Sequence, residues 1–452
     1  MFSPTRVTAF RFLPWHFDDT TNTATFVYAF DSPDAESAVR FEEKYVFPEP
    51  IRPLDGSTRQ AFMRTLHLLS LAAGVSYYKA AVPEQAVIES GAVTDQEVSF
   101  IRNLYAHGLG EFAFINKLTV RDRPQFSYDH KAPAAEPPIA LSRKSLVAVG
   151  GGKDSCVSVE LLRENHQPVL LGSVNKAKAI VEVMEAAGLE RVHTLRTLSP
   201  ELFRINGEGA YNGHVPITAI VSLTLVATAL LTDCDEVVMS NERSASSGNR
   251  EYDGVEINHQ YSKSLDAERE MQELLRTSVS PSISYFSLLR PLSELDIARR
   301  FANTTRYDQT FTSCNRAFRI DDARRIDHWC GDCDKCRFVF LALAPFMSKE
   351  RLVAIFGKDM LNDTTQVEGF DALIGWNAFK PFECVGEVEE SIAALLALSE
   401  KSDWKNDVVV KRFVDEVAPQ LILPPDVTTR PFTMSKDHEV PVRYLEMLHA
   451  FG

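Results

Sequence analysis

Apolar positions along this chain change their spacing near residue 140. Before that point the pattern is mixed. Val7 to Leu13 and Ala24 to Phe30 are rich in β-branched and aromatic residues and flank the turn-forming run Asp18 to Asn22, which predicts a hairpin. Arg64 to Ala73 and Asp95 to Tyr105 carry apolar residues at helical spacing. Residues 1–130 therefore read as an α+β accessory domain. His130 to Pro138 is rich in Pro and Ala, and residues 131–141 read as an extended linker that makes few contacts. After it, Ser145 to Val149 is apolar without alternation, as a buried parallel strand requires. A glycine turn follows, then a helix over Cys156 to Arg163, a strand over Pro168 to Val174 and a helix over Lys176 to Ala187 ended by Gly188. A strand over Val192 to Arg196, a helix over 215–231 and a strand over Glu236 to Ser240 continue the series. Strands alternating with helices predict an α/β fold with a doubly wound parallel sheet over residues 142–360, whose ligands sit at the carboxyl ends of the strands. Residues 361–452 read as mostly helical, for example Gly386 to Lys401.

Size and charge narrow the classes. A chain of 452 residues has room for two or three domains, each with its own core. A net charge of -14 argues against a broad nucleic-acid surface, which needs a local excess of Lys and Arg. The longest apolar run, Ile217 to Leu231, contains Thr218, Ser222, Thr224 and Thr228 and is too short to span a bilayer, so no membrane partner is expected. The first residues lack a basic region followed by an apolar core, so no signal peptide is expected. The seven cysteines, an odd number and mostly clustered, suit metal binding in a reducing compartment, and a cytoplasmic protein is expected. Nothing in the pattern specifies an oligomeric state.

Val149-Gly-Gly-Gly-Lys-Asp-Ser155 falls between a predicted strand and a predicted helix. Gly150, Gly151 and Gly152 let the backbone turn sharply and present bare N–H groups. The helix after them aims its positive end at the same place. Lys153 adds charge, Ser155 can donate to a phosphate oxygen, and Asp154 can hold a magnesium ion. The spacing is not that of the Walker loop. The segment resembles the Ser-Gly-Gly-x-Asp-Ser signature of PP-loop ATP pyrophosphatases, with Gly150 where that family usually has serine. The resemblance implies ATP and magnesium.

Cys330, Cys333 and Cys336 form a C-x2-C-x2-C run, and Cys314 lies upstream in Ser313-Cys-Asn315. Four thiolates can close a tetrahedral zinc site that leaves no position open for chemistry. The passage resembles the zinc site of the PP-loop enzyme that makes 7-cyano-7-deazaguanine. An iron–sulfur cluster or free thiols are the alternatives. Cys156, Cys234 and Cys384 read as ordinary small thiols.

The strand ending at Ser240 runs into Asn241, Glu242, Arg243 and Ser244, which fall over the carboxyl edge of the predicted sheet. Asn241 and Ser244 are candidate ATP contacts, and Arg243 suits a carboxylate or phosphate. Asn258 to Ser264 is polar and precedes a predicted helix at Leu265 to Arg276. It contributes His259, Tyr261 and Lys263 as candidates, with a solvated, capped helix start as the plainer reading. His214, before Val215-Pro216, is a further candidate whose plainer reading is a helix-entry residue.

Taken together, Arg6 to His16, Gly150 to Ser155, Ser240 to Ala245, Asn258 to Lys263 and the cysteine cluster resemble the UDP-N-acetylmuramoyl-L-alanyl-L-glutamate epimerase family over nearly the whole chain. No cysteine precedes Cys156, so no amidotransferase nucleophile is present in the N-terminal part. The resemblance implies epimerisation of the terminal L-Glu of a UDP-sugar dipeptide through an acyl-adenylate, with release of AMP and pyrophosphate. It also implies a partner ligase that adds L-Glu in peptidoglycan precursor synthesis. The candidate catalytic set is Lys153, Asp154, Glu242, Arg243, His259, Tyr261 and Lys263, with Glu242, His259, Tyr261 and Lys263 as possible bases. A PP-loop enzyme that captures its adenylate with ammonia or an amine is the alternative. A nucleotide sensor without turnover is a third reading.

Overall fold

The computed structural model describes residues 1–451, apart from residues 52, 132–134, 249, 320–323 and 377–379 and the side chain of Val255. Its strands are β1 (Ala9–Asp18), β2 (Thr23–Asp31), β3 (Arg40–Val46), β4 (Gln85–Ile88), β5 (Gln125–Ser127), β6 (Ser142–Ala148), β7 (Val169–Val174), β8 (Arg191–Thr197), β9 (Cys234–Met239), β10 (Arg250–Tyr252), β11 (Val255–Ile257) and β12 (Ser284–Ser287). β10 and β11 form a small hairpin, and the other ten share one sheet in the order β12-β9-β6-β7-β8-β3-β2-β1-β4-β5. Parallel pairing runs from β12 to β8 and again from β1 to β5. β8, β3, β2 and β1 pair antiparallel. The architecture is α/β with a parallel-dominated sheet, as the alternation of elements predicts.

Each central strand is buried on both faces, which is why its sequence lacks alternation. Leu146, Leu170, Val237 and Tyr285 pack on one face with the helix Ile217–Leu231 and the aromatic core of the first 130 residues. Val147, Leu171, Val238 and Phe286 pack on the other face with the helices Lys153–Glu164 and Lys178–Ala187. From β6 the chain steps outward to β7 and β8, then crosses back to β9 and β12. The order therefore reverses between β6 and β9, and a crevice opens there at the carboxyl ends of the strands. Beyond residue 361 every regular element among the described residues is helical.

The two segments that the pattern separates share this one sheet. β3 pairs with β8 through Lys44–Thr197, Tyr45–Arg196 and Val46–Leu195. Glu43 lies under this seam with no solvent exposure. Its carboxylate accepts from Arg196 Nε at 2.5 Å and from the Tyr45 hydroxyl at 2.8 Å. Removing one partner of a buried pair leaves the other charge uncompensated. Glu43→Ala should therefore cost about 3–5 kcal/mol of unfolding free energy in urea, and a loss under about 1 kcal/mol would mean the seam does not depend on the pair. Of the Pro/Ala stretch, residues 132–134 lie outside the described residues. The part over 135–141 is pinned rather than loose: Glu136 N donates to Val279 O at 3.1 Å, and Ile139 N to Ser282 Oγ at 2.9 Å.

Candidate active site

The reversal of strand order holds a cleft of about 440 Å³. One wall is the glycine loop. Val149 N donates to Gly172 O at 2.9 Å and continues the β6–β7 ladder by one bond. Gly151 then adopts φ +84°, which a residue with a side chain adopts only under strain. Gly152 is the N-cap of Lys153–Glu164 and offers no side-chain acceptor, so the first N–H groups of that helix have no capping side chain. Such a helix end attracts an anion. A Cβ at Gly150 would meet nothing within 4 Å, so space is not what requires glycine there. Thr312 N donates to Gly151 O at 2.9 Å, and Ser313 lies 3.4 Å from a Cβ built on Gly152. The segment before Cys314 thus braces the loop, and Ser313 lines the cleft with it.

Lys153 is buried under the loop, its ammonium ion-paired with Asp154 and Glu294. Burial works against this charge, but the two carboxylates outweigh it and raise its pKa. Asp154, Glu242 and Glu294 each bring a carboxylate oxygen within 4.8 Å of the others. Burial pushes the Glu294 carboxyl up to about 7, with Asp154 and Glu242 adding to the rise and Lys153 opposing it. Asp154 moves the other way: Lys153 and Lys335 overcome its burial and hold it below the usual carboxylate range. Carboxylate oxygens are the hard donors that a divalent cation of the magnesium kind takes, with phosphate oxygens and water completing its shell.

The opposite wall comes from the segment after β9. Asn241 lines the cleft and donates to Ser287 Oγ at 2.9 Å. Glu242 lines it too, while Ser244 is buried behind, with its hydroxyl 3.5 Å from Glu242 Oε1. Arg243 turns away, and its guanidinium donates to Thr433 O at 3.1 Å. Arg290 is buried and ties the wall together, donating to Glu242 O at 2.6 Å, Lys263 O at 2.5 Å and Glu268 Oε2 at 2.9 Å. Ile217, Val221, Leu225 and Met239 supply an apolar flank.

Lys263 reaches the cleft, and its Nζ lies 3.3 Å from Cys384 Sγ. His259 stands behind Cys384, with its Nδ1 against Glu111. Burial alone would lower the His259 pKa, but Cys384 and Glu111 raise it to about 9. His214 lies beside it, ring centroids 4.5 Å apart, and burial together with His259 pushes it down to about 4. Tyr261 faces elsewhere: its hydroxyl points at Glu270 Oε2, 3.3 Å away, and its ring packs on His107 at 4.9 Å.

The structure therefore gathers Asp154, Ser155, Asn241, Glu242 and Lys263 on one cleft, with Lys153 beneath and His259 behind. It does not gather Arg243 or Tyr261. Cys384 corrects the sequence reading, which took it for an ordinary thiol: it lines the cleft beside a lysine. Glu294, Lys335, Arg290 and Glu111 were also missed, and each owes its place to partners far away in sequence.

Cys314, Cys330, Cys333 and Cys336 converge as free thiols. Their sulfurs lie 3.8 Å apart for Cys314–Cys333, 3.6 Å for Cys330–Cys336 and 3.4 Å for Cys333–Cys336. Four sulfurs at about 2.3 Å from one tetrahedral ion stand about 3.8 Å from one another, so the set is sized for a single metal ion. Gly331, at φ +63°, makes the tight knuckle between ligands. Lys335 projects from the same knuckle to the cleft and donates to Cys384 O.

No helix of the chain is long and apolar enough to cross a membrane among the described residues. No solved structure matches the chain. Residues 1–288 match the model of the MurL N-terminal domain, and residues 310–424 match that of the MurL C-terminal domain. Three curated relatives carry the name UDP-N-acetyl-alpha-D-muramoyl-L-alanyl-L-glutamate epimerase. The protein from Xanthomonas oryzae pv. oryzae is 43% identical over 450 residues, covering 99% of this chain and 98% of that one. The protein from a Micromonospora species is 45% identical over 98% of both chains. The protein from Salinispora tropica is 44% identical over 98% of this chain and 96% of its own. On these matches, the chain belongs to the UDP-N-acetyl-alpha-D-muramoyl-L-alanyl-L-glutamate epimerase family.

Proposed function

We propose that this chain is an ATP-dependent epimerase. It inverts the terminal L-Glu of UDP-N-acetylmuramoyl-L-alanyl-L-glutamate through an acyl-adenylate and releases AMP and pyrophosphate. Family membership supports the substrate. The observation that carries the chemistry is the meeting, in one cleft, of an uncapped glycine-rich helix end with the carboxylates of Asp154 and Glu242, backed by the buried Glu294. A nucleotide triphosphate complements that pair, with phosphate oxygens on the N–H groups of the loop. We read the β6–β12 part of the sheet as a PP-loop fold, with residues 142–360 as its domain and residues 361–452 as a helical addition.

The α-proton of glutamate is hard to remove while the adjacent carboxylate is charged, because a dianion would result. Attack of that carboxylate on the α-phosphate of ATP expels pyrophosphate and leaves a neutral, ester-like acyl group. The α-carbon then becomes acidic enough for a protein base. Gly150 to Ser155 hold the phosphates. Asp154, Glu242 and Glu294 would hold magnesium, which neutralises phosphate charge when bound. Lys263 and Lys335 add positive charge in the cleft. The apolar flank at Ile217, Val221 and Leu225 suits a nucleobase. We assign the four-cysteine set to structural zinc, since an iron–sulfur cluster would hold its cysteines farther apart.

Residues 1–130 are assigned to recognition of the UDP-sugar. A second cleft of about 350 Å³ supports this, formed by Arg102, Arg121 and His107 with Tyr252 of the hairpin. The pathway partner would be the ligase that adds L-Glu, and the compartment the cytoplasm.

The purified chain, given ATP, magnesium and the UDP-dipeptide without ammonia, should release AMP and yield D-Glu on hydrolysis of the product. AMP release that requires ammonia, without inversion, would transfer the protein to the amide-forming class.

A further inference from the structure

We propose that Cys384 is the residue that moves the α-proton on one face of the adenylated glutamate. This rests on the reading of the reaction given above.

The argument begins with position. Cys384 lines the same cleft as the glycine loop and the carboxylates Asp154 and Glu242. Its sulfur has a cation 3.3 Å away, Lys263 Nζ, and an imidazole in contact, that of His259. His259 is in turn held by Glu111. Lys335 fixes the backbone carbonyl of Cys384 itself. A nucleophilic sulfur, an imidazole and an anchoring carboxylate in series, plus a lysine, form an arrangement that keeps a thiol ionised. The balance of charges agrees: burial opposes ionisation, yet Lys263 and His259 bring the Cys384 thiol down to about 6.

The other candidates are less suited to take a proton. Lys263 is held protonated by Cys384 and Glu242 against its burial. His259 is held protonated by Cys384 and Glu111. Glu242 belongs to the carboxylate cluster that suits a cation. Tyr261 points at Glu270, outside the cleft. Among the described ionisable groups that line the cleft, the thiolate is the basic one outside the carboxylate cluster.

The step balances as follows. The Cα–H bond breaks and its proton passes to Sγ. The electron pair moves onto the acyl oxygen, giving a neutral thiol and an enolate. A solvent-derived proton then adds to the opposite face, the pair returns to Cα, the thiol gives its proton back to solvent, and water cleaves the acyl-adenylate to release AMP and the free carboxylate. The hydrogen at the inverted centre therefore comes from water.

The test uses the full chain with ATP, magnesium and the UDP-dipeptide in deuterated water, in the wild type, Cys384→Ala and Cys384→Ser. Three quantities are measured: AMP released, D-Glu formed and deuterium at Cα. The wild type should place deuterium at Cα of the product. In both variants the ratio of D-Glu formed to AMP released should fall by at least about 100-fold, and deuterium at Cα should fall with it. An unchanged ratio in Cys384→Ala overturns the proposal. So does equal loss of AMP and D-Glu in the shape-preserving Cys384→Ser, because that would give Cys384 a packing role. A wild type that releases AMP without inversion would instead overturn the epimerase reading.

Discussion

Asp154→Asn should lower the rate of AMP formation by about 10²–10³-fold. The substitution keeps the shape of the side chain and removes one charge from the cluster beside the glycine loop. Asp154 occupies the first turn of Lys153–Glu164, so the substitution keeps its backbone N–H at the helix end and should leave the helix intact. Lys153 keeps Glu294 as a buried partner. The effect therefore falls on the cation and on the charge that develops as pyrophosphate departs, not on the fold. Titrating magnesium against AMP release checks this: the variant should need far more magnesium for half-maximal rate. A normal rate at ordinary magnesium would remove Asp154 from the chemistry.

The second large effect belongs to the four cysteines. Cys336→Ser should abolish binding of one equivalent of zinc and destabilise the C-terminal half. It should also lower AMP formation, although Cys336 does not line the cleft. Structural zinc contributes about 10–16 kcal/mol in small zinc-binding peptides, so its loss is severe even after discounting for the larger core here. The route to the cleft is concrete. Thr312 and Ser313, next to Cys314, brace Gly151 and Gly152, and Lys335, between Cys333 and Cys336, lines the cleft. Metal analysis together with thermal unfolding checks the first part. Iron with visible absorbance in place of zinc would overturn the zinc assignment, and a stable, active Cys336→Ser protein would overturn the bracing argument.

What was legible in the sequence was local. The glycine loop is a run of neighbours whose backbone needs are written in residue type, and the cysteine knuckle is a spacing. Both could be read without knowing what lies across the fold. Glu294 could not, because it meets Lys153 across 141 positions of sequence. Cys384 meets Lys263 across 121, so nothing near it marks it as different from Cys234. β3 was missed for a related reason: Arg40-Phe-Glu-Glu-Lys-Tyr-Val46 alternates correctly, but its inward set includes Glu43, whose partner Arg196 lies on a strand 153 residues away. The reverse error is seen at Arg243 and Tyr261. Each sits beside cleft residues in sequence, but Arg243 reaches Thr433, 190 positions on, and Tyr261 reaches Glu270 on the helix that follows it.

The seam between β3 and β8 also bears on what can be inherited or excised as a unit. A cut in the Pro/Ala stretch would leave β8 as an open edge, with unpaired N–H and C=O groups ready to add a foreign strand. It would strip one face of Ile217–Leu231 as well. A fragment beginning at residue 142 would thus be prone to aggregate, and a fragment ending at residue 130 would expose the other side of the same edge. The family's own N-terminal unit runs over residues 1–288, straight through the compositional break. Hydrogen bonding across the sheet, rather than linker composition, marks where this protein can be divided.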